Sequence, residues 1–273
     1  MTARTTLASV TCFVVGGVYF LPLLWSISLS LRKSSEVYGV VVQHTFQPSN
    51  YSAAWTDLGM ARLFGNTIII TALTVAIVLV LSVTAAYGVV RYRTRFAEFV
   101  FMLILLGLMV PPAAVILPFF VVLRDLGLYN HLFAVVLAEA SFALPFGILL
   151  MRGYFEQLPR DLTDAARVDG ATEWRAFRYV NLPLVRPALV TLGTIVVLAT
   201  WNGFIFPLLL LADPRSGTLT TAISTFSTVS VTGGISTQIV AAAAVMAAAP
   251  VIAILIIARR AYVSGIVNGA LKQ

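Results

Sequence analysis

Charge is what this sequence has least of. Only 11% of its 273 residues are Asp, Glu, Lys or Arg, against about 25% in a soluble domain, which excludes an ordinary water-soluble globule. Lysine occurs twice, as Lys33 and Lys272. Neither ends a G-x-x-x-x-G-K-[ST] run, so the chain has no phosphate-cradling loop of its own. The single cysteine, Cys12, has no partner for an intrachain disulfide. His44 and His131 stand apart, without a cysteine or carboxylate cluster, so no metal site is expected. There is no G-x-S-x-G elbow, and no catalytic residue is assigned. The net charge of +7 comes from basic residues scattered at the ends of apolar runs. Lipid headgroups account for it without nucleic acid.

What fills the space is apolar: 59% of residues are hydrophobic and the mean hydropathy is +0.95. A single all-α polytopic membrane domain, 1–273, is expected. A helical crossing needs roughly 20 apolar residues, and six stretches qualify: 7–31, 67–90, 96–123, 132–154, 188–212 and 239–258. The first is too long for a signal h-region and no A-x-A-like site follows it, so it reads as an uncleaved helix. Pro111-Pro112 interrupts the third and predicts a kink. With both termini in the cytoplasm, the inner segments hold Arg4, Arg91, Arg93, Arg95, Arg152, Arg160, Arg167, Arg175, Arg178, Arg186, Arg259, Arg260 and Lys272. The outer ones hold only Arg32, Lys33, Arg62, Arg124 and Arg215. The positive-inside bias favours that orientation.

One inner segment, 156–187, is unlike the rest. It holds "DAARVDGATEWRAFRYVNLPLVRP", from Asp164 to Pro187. Its local chemistry predicts two short helices. Pro159 suits N1 of the first, Asp161 and Asp164 complement its dipole, and Gly170 suits the C′ stop. Thr172 caps the second, and Pro183 ends or turns it. Ala171, Trp174, Phe177 and Val180 recur on one face, while Arg175, Arg178 and Tyr179 lie towards the other. Ala165 and Ala166 leave the first helix smooth enough for close approach.

Asp164-Ala165-Ala166, three residues, Gly170, then nine residues to Val180-Asn181-Leu182-Pro183 resembles the EAA loop of ATP-binding-cassette importer permeases, with Asp for Glu and Val for Ile. "FQPSNYSAAW", "FGNTIII", "LGLYNHLFAVVL", "LPFGILLMRGYFEQLP", "TWNGFIFPLLLLAD" and "RRAYVSGIVNGALKQ" together resemble the second permease subunit of maltose-type sugar importers, from Phe46 to the end. The resemblance implies a prokaryotic inner-membrane permease that is not itself an enzyme. It implies a second homologous permease, two copies of a cytoplasmic ATPase carrying ATP and Mg, an extracellular solute-binding protein and a sugar substrate. It makes the charged hairpin a coupling element, with Asp164, Ala165, Ala166, Asp169, Gly170, Leu182 and Pro183 as ATPase-coupling residues.

Three residues are candidates for the substrate pathway. Glu139 is the carboxylate clearly inside a span, where a charge costs several kcal/mol unless paired or wet. It either meets sugar hydroxyls or sits protonated or partnered at a subunit contact. Trp201 and Asn202 offer a ring face and an amide to a sugar, or pack against the partner permease. A polyol or glycerol-phosphate solute is the rival substrate class. An ion-coupled secondary transporter is the rival function, disfavoured because such proteins usually carry several intramembrane ionisable groups or paired broken helices.

Overall fold

The computed structural model describes residues 3–33, 46–213 and 216–270, with the backbone alone for 3–15, 160 and 258–270. Cys12, His44, Arg4, Arg215, Arg259, Arg260 and Lys272 fall outside the described side chains. Among the described residues every regular element is helical. The chain forms two compact units, one of 1–64 with 221–250 and one of 65–220 with 251–273.

In the first unit, α1 (Ala3–Ser30) is followed by α2 (Ser49–Asp57). α1 ends in open carbonyls, as every helix does, and α2 closes them. The buried Asn50 amide donates to Ser30 O at 2.9 Å and Arg32 O at 2.8 Å. The Ser30 and Tyr51 hydroxyls share a 2.7 Å bond. Gln238, in the first turn of α13 (Thr237–Ala270), donates to Lys33 O at 3.0 Å.

The second unit holds most of α3 (Met60–Tyr92), then α4 (Arg95–Leu106), α5 (Pro112–Asp125) and α6 (Leu132–Glu156). The hairpin helices α7 (Arg160–Val168), α8 (Glu173–Ala176) and α9 (Leu182–Leu184) follow, then α10 (Arg186–Trp201) and α11 (Ile205–Leu210). Its core packs α3 and α6 against α10: Val78, Val83, Met151, Phe155, Leu192 and Val196 are all buried. The helices approach closely because Gly147 of α6 lies against Ser82 and Val78 of α3, where a side chain would collide. A second apolar cluster joins Ile70, Val135 and Phe206. α12 (Leu219–Val231), which belongs from Thr221 on to the first unit and which hydropathy did not mark, satisfies its hydroxyls on its own turns, as in Thr225 to Thr221 O and Ser227 to Ile223 O.

α3, α6 and 237–257 of α13 are each long and apolar enough to cross a membrane, covering the second, fourth and sixth expected stretches. The third and fifth are each interrupted. Residues 96–123 do not form one kinked rod: α4 and α5 bend by 106° at the prolines. A residue before proline is driven to extended backbone, and here two such residues follow each other. Val110 has ψ 113° and Pro111 ψ 131°. The bend is seated on α6, where Gly107 leaves room for Pro145. The stretch 188–212 is also not continuous, since α10 stops at Trp201 and α11 begins at Ile205. At 1.5 Å per residue, a helix of 16 residues rises only about 24 Å, short of the roughly 30 Å hydrocarbon core.

Candidate functional site

The hairpin 156–187 follows its local chemistry closely. Helix α7 starts at Arg160 with Pro159 as its N-cap, one position ahead of the expected N1. It ends in a full Schellman closure: Ala171 N–H donates to Ala166 O and Gly170 N–H to Arg167 O, both at 2.9 Å. Gly170 sits at φ +83°, a backbone that residues with a Cβ adopt at a cost. The Thr172 hydroxyl accepts from Arg175 N–H at 3.4 Å, capping α8.

The second half departs from regular α spacing. After α8 the chain runs through a π turn, Phe177–Asn181, then α9. Phe177 is 5% exposed and Trp174 is 62% exposed, so of the two only Phe177 is buried. Their rings still lie 5.4 Å apart. Phe177 enters the core against Tyr87, at 4.7 Å between rings. Pro183 does not turn the chain where it stands; the 71° change of direction into α10 falls at Val185.

Polar contacts tie these pieces together. Asn181, buried, accepts from the Thr163 hydroxyl of α7 at 3.1 Å and donates to Ala176 O at 3.2 Å. Glu173 takes three donors. Its Oε1 accepts from the Tyr87 hydroxyl at 2.6 Å and Arg91 Nε at 2.8 Å, and its Oε2 from Arg167. Burial pushes this carboxyl up, but the three hydrogen bonds and the Arg91 charge outweigh that and hold it below its ordinary value. It is therefore ionised at neutral pH. A second cluster lies nearby on the same unit: Arg152 of α6 grips Glu98 of α4 through two bonds of 2.9 and 3.0 Å, bonds Glu156, and stacks on Phe101. Glu173, Tyr87 and Asn181 were not singled out from sequence.

The expected coupling residues fall into two groups. Asp164, Ala165, Asp169 and Gly170 are exposed together on α7 and its C-terminal turn, beside Val168, and Ala166 is half-buried. Leu182 and Pro183 are also half-buried, and Leu182 packs on the core. Leu182 thereby helps to seat the hairpin.

The pathway candidates converge at the break after α10. Glu139 of α6 lies against Gly203: a Cβ there would stand 2.5 Å from Glu139 Oε1 and 3.0 Å from Thr200 O. Among the described residues Glu139 is half-buried and makes no hydrogen bond or ion pair. The Gly203 carbonyl accepts from the Thr220 hydroxyl at 2.6 Å. Asn202 is exposed but turns its amide back to Leu198 O at 2.8 Å. Trp201 is 6% exposed, so the ring face expected for stacking on a sugar is covered.

Known proteins carry the same organisation. Residues 78–266 match the family model described as "Binding-protein-dependent transport system inner membrane component". The trehalose transport system permease protein SugB of Mycobacterium tuberculosis (strain CDC 1551 / Oshkosh) is 35% identical across 98% of both chains. The probable ABC transporter permease protein YurM of Bacillus subtilis (strain 168) is 32% identical over 92% of this chain and 83% of its own. In solved structures, a bacterial ABC transporter involved in the import of the acidic polysaccharide alginate matches with a TM-score of 0.80 and 25% identity, over 95% of this chain and 98% of that one. The chain belongs to the inner membrane components of binding-protein-dependent transport systems; it is a multi-pass permease of the ATP-binding-cassette importers, not an enzyme.

Proposed function

We propose that this chain forms half of the translocation pathway of a sugar importer. A second homologous permease supplies the other half, and an extracellular solute-binding protein delivers the solute. Both termini face the cytoplasm, following the Lys and Arg bias. Two copies of a cytoplasmic ATPase bind ATP and Mg, and one docks on hairpin 156–187. Sugar is the substrate class because relatives are named for trehalose, melibiose/raffinose/stachyose and lactose transport.

The observation that carries the docking reading is the two-sided hairpin. Asn181, Glu173 and Phe177 hold its inner side, while Asp164, Ala165, Val168, Asp169 and Gly170 remain open on the other. A short helix with a small-residue face and a charged rim suits a groove on a partner. Asp164→Lys reverses the rim charge. Gly170→Val imposes a steric cost of roughly 1–2 kcal/mol on a left-handed residue and adds bulk to the open side. Both variants are expected to insert normally and to lose most of the ATPase on co-purification. Full ATPase recovery with full uptake in both would remove the hairpin from the docking surface.

A further inference from the structure

A hairpin gripped by a partner pulls directly on what it is joined to. Chain continuity joins this one to α6, through 157–159, and to α10, through Val185. Helix α3 has no such connection, since Tyr87 and Arg91 lie 86 and 82 residues before Glu173. Among the described residues, the polar links from α3 to the hairpin both end on that one carboxylate. Its second oxygen holds Arg167 of α7, so Glu173 joins α3 to both halves of the hairpin at once.

Tyr87 also meets Phe177, an apolar ring contact that permits sliding. Charge-assisted hydrogen bonds are directional and about twice as strong as neutral ones. The Arg91–Glu173 pair is mostly shielded, with side chains 22% and 27% exposed. Arg91 also stands in the last turn of α3, where the helix dipole favours a cation.

Resting on the docking reading above, we infer that Glu173 is a positioning residue that makes the inner end of α3 move as one body with the hairpin. A pull on the hairpin then reaches α3, α6 and α10, rather than α6 and α10 alone.

The test uses the assembled transporter with Cys12→Ala and spin labels at positions 92 and 179. Tyr92 and Tyr179 are 65% and 69% exposed. Inter-label distance is measured by pulsed electron resonance without nucleotide and with ATP and vanadate. In the parent, one narrow distribution is expected in both states. In Glu173→Ala it is expected to broaden and shift by several ångströms when nucleotide binds. Arg167→Gln, which leaves the α3 links intact, should behave as the parent does. A nucleotide-dependent distance in the parent, or an unresponsive one in Glu173→Ala, overturns the inference. ATPase co-purification on the same samples separates the two ideas: its loss from Asp164→Lys alone speaks to docking, and the distances speak to Glu173. If Glu173→Ala itself sheds the ATPase, Tyr87→Phe with Arg91→Gln cuts the link from the α3 side and decides by the same outcomes.

Discussion

In the hairpin, Asn181 accepts from one partner and donates to another, and Glu173 takes three donors. At the break after α10, Gly203 contributes the absence of a side chain, and Glu139 occupies the space. Both places interrupt helix. One is closed by polar bonds between distant segments, the other by close fit with a carboxylate left open. The first arrangement transmits displacement, because directional bonds resist sliding. The second keeps an acid available inside a transport protein, where an ionisable group usually marks a pathway.

The contrast breaks most sharply at Asn181. Asn181→Leu keeps the volume but leaves the buried Thr163 hydroxyl without this partner, at about 1–3 kcal/mol for the orphaned group. Thermal unfolding of the purified complex should fall markedly, with protease cleavage appearing first in 160–182. Wild-type resistance there would mean that the polar closure is dispensable. At the break, a methyl group should be the damaging change. Gly203→Ala forces Glu139 aside and presses on Thr200 O, an overpacking cost of about 1–3 kcal/mol. Adding Glu139→Ala should recover part of the lost stability, and a purely additive double mutant would refute the fit. Smallest in stability is Glu139→Gln, which keeps the shape and should leave unfolding unchanged within about 0.5 kcal/mol. Sugar uptake should drop while the ATPase stays bound. Normal uptake would return Glu139 to a packing role.

The parts legible in sequence were those decided by neighbours along the chain. Hydropathy located α3, α6 and α13 because long apolar helices need no partner to be recognised. Gly170 was legible because a helix stop is a local event. Pro111-Pro112 announced a disturbance, but the 106° bend also depends on α6 offering Pro145 to Gly107. Glu173 was not legible as a hub: its α3 partners are more than 80 residues away, and from sequence it reads as one acid near a helix start. The exposure of Trp174 was not legible, because helical spacing says which residues share a face and not what covers each of them. α12 was missed because its serines and threonines lower its hydropathy while their hydroxyls bond within the helix.

The hairpin's π turn has a consequence for how such loops can be exchanged or edited. Leu182 N–H reaches back five residues to Phe177 O, so 177–181 holds one more residue than an α turn would. Deleting any one of them restores the ordinary winding. A π turn makes the same circuit as an α turn with one extra residue, so the deletion would leave what precedes it close to its present phase relative to α10. Glu173 would then still face Tyr87 and Arg91. The turn is therefore where the hairpin can absorb a change of length: a graft from another permease that is one residue shorter between Phe177 and Asn181 should still hold Glu173 to its α3 partners.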